Sequence, residues 1–140
     1  MKNIKVREAK RELLPDLDLV TPSTDLSKVF EIFKFHTVTR VLFVVDSNGK
    51  LMGMINIQTL LKILASASVK QESLTFFSEV SARTAEDVMV RPLSLREEDT
   101  LEKALQLMVE SKTEDVAVMD SAGKMVGTLN CFDILGKLTE

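Results

Sequence analysis

The stretch DSNGKLMGMIN at residues 46–56 returns as DSAGKMVGTLN at residues 120–130. Asp, Ser, the two Gly, Lys and Asn recur in the same order, and none of them makes a catalytic set. Outward from these stretches the match continues: residues 26–37 slide onto 101–112 and, with one residue dropped near Val38, residues 39–64 slide onto 113–138. Leu26, Val44, Gly53, Asn56, Leu61 and Leu64 then fall on Leu101, Val118, Gly127, Asn130, Leu135 and Leu138. One supersecondary unit is written twice, and a second copy gives the first something to bury its core against.

Each copy opens on an amphipathic helix. Leu26, Val29, Phe30 and Phe33 keep the i, i+3, i+4, i+7 spacing that Leu101, Ala104, Leu105 and Met108 repeat. Asp99 with Glu102 reads as the N-terminal cap of the second of these helices. The apolar strands VLFVVD and DVAVMD follow, closed by SNGK and SAGK. Asn48-Gly49 predicts a tight hairpin in which both central residues take positive φ. A second strand then leads into a second helix, whose apolar stripe is Ile57, Leu60, Leu61, Leu64 in one copy and Cys131, Ile134, Leu135, Leu138 in the other. On that stripe Cys131 reads as a small buried hydrophobe. Upstream of each copy lies an irregular lead in which Pro15, Pro22 and Pro92 favour extended or turned backbone. The expected class is α+β: a three-stranded sheet with helices on one face, packed through its bare face against the sheet of the other copy in pseudo-two-fold symmetry. Between the copies, Val69, Phe76, Phe77 and Val80 share one side of an expected helical connector.

Composition narrows the function. With 140 residues and 45% apolar content the chain can bury a real core. It holds no apolar run long enough to span a bilayer, and its start lacks the apolar stretch of a signal peptide. One Cys and one His, with His36 expected at the surface, provide neither an internal disulfide nor a zinc site. The expectation is a cytoplasmic protein, or the cytosolic part of a membrane protein, without direct membrane contact. Residues 1–70 carry 11 Lys+Arg against 7 Asp+Glu and residues 71–140 carry 7 against 14. Without a strong basic field, Trp or Tyr, nucleic acid is not an expected partner.

With the repeat in place, the sequence resembles a tandem pair of CBS (cystathionine-β-synthase-like) domains, the unit called a Bateman module. The resemblance is carried by AEDVMVRPLSLREEDTLEKALQLM, by DVAVMDSAGKMVG, and by a G-x-x-[TS]-x-x-D signature met as Gly127-Thr-Leu-Asn130-Cys-Phe-Asp133 and as Gly53-Met-Ile-Asn56-Ile-Gln-Thr59. It implies a first repeat with its N-terminal lead at 1–68, a helical connector at 69–84 and a second repeat at 85–140. It further implies a regulatory module and not an enzyme, binding AMP, ADP, ATP or a related adenosyl compound in the cleft between repeats. Homodimers, and a host enzyme, channel or transporter, are the implied partners. Carried over position by position, the signature makes Asp133 and Asn130 in the second copy, and Asn56 and Thr59 in the first, ligand-binding candidates; Thr128 is named beside them, as is Arg40, which opens the first central strand where a guanidinium can pair with phosphates. Here the chain departs from the signature, since both copies have Asn for Thr/Ser and the first has Thr59 where the second has Asp133. Asn is also a strong helix cap, and an acidic or polar residue three positions on stabilises the first turn, so capping accounts for the same residues. A dimerisation or docking module with degenerate, ligand-free pockets is therefore the alternative function.

Overall fold

A computed structural model describes residues 3–36, 39–70 and 83–140 of the chain. Its elements in chain order are α1 (Val6–Ala9), β1 (Arg11–Glu12), α2 (Pro15–Asp18), β2 (Leu19–Val20), α3 (Leu26–Phe35), β3 (Val41–Val45), β4 (Leu51–Asn56) and α4 (Ile57–Lys70). They continue with α5 (Ala85–Val88), β5 (Ser94–Arg96), α6 (Leu101–Ser111), β6 (Asp115–Met119), β7 (Met125–Asn130) and α7 (Cys131–Leu138). Helix, two strands and helix thus recur as the repeat requires, in a mixed α and β chain with two sheets. Phe76, Phe77 and Val80 of the expected connector lie outside the described residues, as does the side chain of Val69.

The contacts divide the chain into two units that cut across sequence order. One comprises Met1–Leu13, Gly49–Leu51 and Pro92–Glu140; the other comprises Leu14–Asn48 and Met52–Arg91. Each repeat is therefore grouped with the segment that precedes the other one.

In the unit of the second repeat the sheet has four strands in the order β1-β7-β6-β5, one more than expected. The added strand is β1, where Arg11 pairs with Thr128 and Glu12 with Gly127 in antiparallel register. The approach is close: a side-chain carbon at Gly127 would stand 2.6 Å from the Arg11 carbonyl oxygen, so only glycine admits the strand. Val6 of α1 is fully buried, and the chain is tied in by Val6 N–H to Asp99 O at 2.7 Å and Leu101 N–H to Ile4 O at 2.9 Å. Val6 joins Leu95, Leu101, Ala104, Met108, Val116, Val118, Leu129 and Ile134 in one apolar cluster.

The unit of the first repeat has the sheet order β2-β3-β4, with β2 parallel to β3. Its lead segment comes from residues 83–90. Leu26 N–H donates to Arg83 O at 2.9 Å, and Met54 and Val90 exchange backbone bonds at 3.0 and 2.8 Å. Val20, Leu26, Val29, Ile32, Leu42, Val44, Ile55 and Ala85 form its cluster. Full burial of such side chains contributes about 1.5–3 kcal/mol each, and the helical spacing read from the sequence is what brings them to one side.

Alternation along the strands separates two faces in each sheet. Val116, Val118 and Leu129 enter the helix-side cluster, whereas Ala117 and Thr128 are equally buried and outside it. In the other unit Leu42, Val44 and Ile55 enter the cluster, while Phe43 and Met54 are buried outside it.

Four local expectations change. The cap of α6 is Thr100, whose side chain accepts from Lys103 N–H, and Asp99 instead accepts from Arg96 N–H at 2.7 Å and Lys103 Nζ at 3.1 Å. In the hairpin turns only the glycines, Gly49 at φ 79° and Gly123 at φ 82°, are left-handed, and Asn48 is not. The repeated aspartates make the turns: Asp46 Oδ1 accepts from Asn48 N–H at 2.8 Å, and Asp120 Oδ1 accepts from Ala122 and Lys124 N–H, each at 2.9 Å. The stripes of α4 and α7 are largely uncovered, with Ile57, Leu61, Leu64, Leu135 and Leu138 exposed and Ile134 alone among the stripe residues buried. Cys131 is likewise exposed, because the core-facing side of α7 runs through Ile134 and not through the helix's first residue. His36 is exposed, as read from the sequence.

Candidate functional site

The signature residues fall where β7 turns into α7 and where β4 turns into α4. Asn130 is the cap of α7 in extended backbone: its Oδ1 accepts from Asp133 N–H at 2.9 Å, and Asp133 Oδ2 accepts from Asn130 N–H at 2.9 Å. This reciprocal box satisfies two backbone donors at the helix start. It uses one oxygen of a half-buried carboxylate and leaves Oδ1 of Asp133 as an acceptor beside the helix N-terminus.

The first repeat is built otherwise. Asn56 Oδ1 accepts from Thr59 N–H at 3.0 Å and from the Thr59 hydroxyl at 3.1 Å. Thr59 is buried, so its one hydroxyl proton is spent inside the cap. The two turns look alike in sequence and differ in what they can still offer: an anionic acceptor in one, a committed neutral hydroxyl in the other.

Thr128 lies two residues before Asn130 on the same face of β7, opposite Ala117 of β6 and Arg11 of β1. It is 3% exposed, and its hydroxyl oxygen has no hydrogen-bond partner. Arg40 precedes β3 and is half-buried and already engaged. Its counterpart in the second repeat is Glu114, so a basic group at this position belongs to the first repeat only. The structure thus brings Thr128, Asn130 and Asp133 together in one unit, and places Asn56, Thr59 and Arg40 in the other.

A concavity of about 610 Å³ lies elsewhere, lined by Arg96, Glu97, Asp99, Lys103, Met119 and Asp120 among others. It sits at the hairpin end of β6 and β7, away from Asn130, and none of the six candidate residues lines it. Its lining sets Glu97, Glu98, Asp99 and Asp120 against Arg96 and Lys103, with Asp99 and Lys103 bonded to each other.

The CBS domain pattern matches residues 6–66 and 85–140. The chain belongs to the CBS domain family. It is a tandem CBS pair. It is similar to the CBS domain-containing protein CBSX2, chloroplastic, of Arabidopsis thaliana, with 27% identity over 132 residues, covering 81% of this chain and 55% of that protein. This CBS pair therefore spans about half the length of the curated relatives it matches. A crystal structure of CBSX2 in complex with AMP superposes with a TM-score of 0.79 at 25% identity, over 98% of this chain and 97% of that one. The CBS domain of the bacterial CNNM/CorC family Mg2+ transporter superposes with a TM-score of 0.74 at 14% identity, over 98% of this chain and 76% of that one, which shows the fold alone. Among the described residues no helix is long and apolar enough to cross a membrane.

Sequence reading did not single out Phe132, 62% exposed in the first turn of α7. A 3.6-residue period reports which residues share a face and carries no signal of what covers it.

Proposed function

We propose that this CBS pair is a regulatory module that binds an adenine nucleotide or a related adenosyl compound, and that Asp133 is its main polar contact. The observation that carries this reading is the spare carboxylate oxygen of Asp133, held by the capping box beside the N-terminus of α7. A carboxylate there suits two ribose hydroxyls, and the helix N-terminus suits a phosphate. The likeness to a CBSX2 structure containing AMP supports the ligand class. Asn130 orients Asp133, and Asn56, Thr59 and Arg40 form a weaker counterpart in the first repeat. A ligand regulates only through a preference for one arrangement of the protein, and an enzyme, channel or transporter is the kind of host that such a shift would adjust.

Calorimetric titration with AMP, ADP and ATP tests the reading. Asp133→Ala is expected to weaken binding ten- to a hundredfold, the loss of about 1.5–3 kcal/mol in charge-assisted bonds. Thr59→Ala is expected to do much less. Equal affinities for wild type and Asp133→Ala would reduce Asp133 to a helix cap.

A second reading, a dimerisation or docking module without ligand, is favoured by one observation: the apolar faces of α4 and α7. Ile57, Leu61, Leu64, Phe132, Leu135 and Leu138 are all 42–62% exposed. We assign these faces to a second copy of the chain in a two-fold homodimer, an assembly compatible with either function.

A further inference from the structure

We infer that α7 packs on α7 in the homodimer: two copies of this helix cross antiparallel at the level of Ile134, with Phe132 of each chain set against Gly136 of the other. The inference rests on the homodimer assigned above and adds which helix makes the close contact, in which sense, and through which residues. It starts from a glycine without a task inside its own chain. Gly136 lies within α7, where glycine forms helix worse than any residue but proline. Its φ is not left-handed, so it does not turn the chain out of the helix. Among the described residues nothing lies within 4 Å of where its side chain would start, so no neighbour excludes one. What a missing side chain still offers is a close approach from outside.

The surroundings fit such an approach. Ile134 is the buried residue of α7 and marks its inward side. Phe132 and Gly136 stand two residues before and two after it, each about 160° around the helix from Ile134, and are neighbours at i, i+4. Both therefore face outward, a ring 62% exposed beside a gap, with Leu135 exposed next to them. Because the two are equidistant from Ile134 along the helix, a two-fold axis at that level exchanges them, and each ring meets the other copy's gap. One patch is thus its own complement, as an isologous contact requires. The charges agree. The antiparallel sense brings Asp133 of one copy toward Lys137 of the other, a lysine that within its own chain reaches Glu140, whereas a parallel pair would set like charges side by side. The repeat supplies the contrast: in α4 the equivalent positions are Gln58 and Lys62, both exposed, which give neither ring nor gap.

Sedimentation equilibrium of the whole chain tests the contact, on wild type, Phe132→Ala, Gly136→Ala and Lys62→Ala. Gly136→Ala is expected to raise the dimer dissociation constant about tenfold although, at dilutions where both are monomers, it melts at or above wild type, as the helix preference of alanine requires. A glycine with a structural role alone would not separate those two readings. Phe132→Ala is expected to weaken the dimer as much, and Lys62→Ala to leave it within about twofold. The sense of the crossing is read by oxidation in a Cys131→Ser background, where Leu135→Cys alone should give a covalent dimer. Absence of that product, or a covalent dimer formed only when Leu61→Cys chains are mixed with Leu135→Cys chains, would overturn the inference. Unchanged dissociation constants in Gly136→Ala and Phe132→Ala would overturn it too, and all three results leave the homodimer standing. A monomeric wild type would overturn both.

Discussion

Asp99 stands beside the residue that caps α6 and does a different job. Its side chain is 17% exposed. Burial pushes its carboxyl up, but the Arg96 N–H, the bond and charge of Lys103 and the charge of Arg96 outweigh that and hold it below the ordinary 3.8. A depressed folded value means that the stabilisation is complete above the unfolded value and lost as pH falls through the folded one. Asp99→Asn keeps an acceptor and loses the charge, so it is expected to cost about 1 kcal/mol at pH 7. In urea melts the gap to wild type should close as pH falls below the ordinary carboxylate range; a gap independent of pH would show that the charge contributes nothing. The same residue marks a limit of sequence reading. Asn130 and Asp133 are legible as a box because both partners lie within one turn. Asp99 and Glu102 make a similar pattern, yet α6 starts one residue later, where Leu101 N–H is fixed by Ile4 O from a distant part of the chain. No local pattern carries that bond. Thr128 is legible as a signature neighbour, but that its hydroxyl is buried without a partner follows only from the packed sheet.

At the scale of elements, the short lead segments matter more than their length suggests. α1 and β1 together hold six residues, yet they supply a fully buried Val6 and an outer strand to the second-repeat sheet. Val6→Ala is expected to cost about 2 kcal/mol, the transfer of two methyl groups plus the cavity they leave. Hydrogen exchange should show the loss in β6 and β7 before β3. Equal loss in β3 would show that the two units open as one. The helices, hairpins and their order were legible because period and turn chemistry are local. The identity of the strand flanking β7 was not, since Arg11 and Glu12 carry no alternation that could announce a partner more than a hundred residues away. The exposure of Cys131, Leu135 and Leu138 was hidden for a related reason: an apolar face looks the same in sequence whether its cover is intramolecular or another chain.

On the scale of the whole molecule, the proposed homodimer rests on the uncovered faces of α4 and α7. Sedimentation at tens of micromolar is expected to give twice the 15.6 kDa chain mass, and Leu61→Lys with Leu135→Lys is expected to give the single mass with the melting transition retained. A monomeric wild type would remove the homodimer. The strand pairing of Arg11 with Thr128 also has a consequence for biosynthesis. Residues 11–12 leave the ribosome more than a hundred residues ahead of the strand they flank. They therefore wait for that strand while the whole of the first repeat is made. By then the first repeat and its borrowed segment at 83–90 have been synthesised and can settle on their own. Closing the ends of so long a chain is slow compared with local contacts. Arg11 and Glu12 are thus made before the first repeat and placed after it.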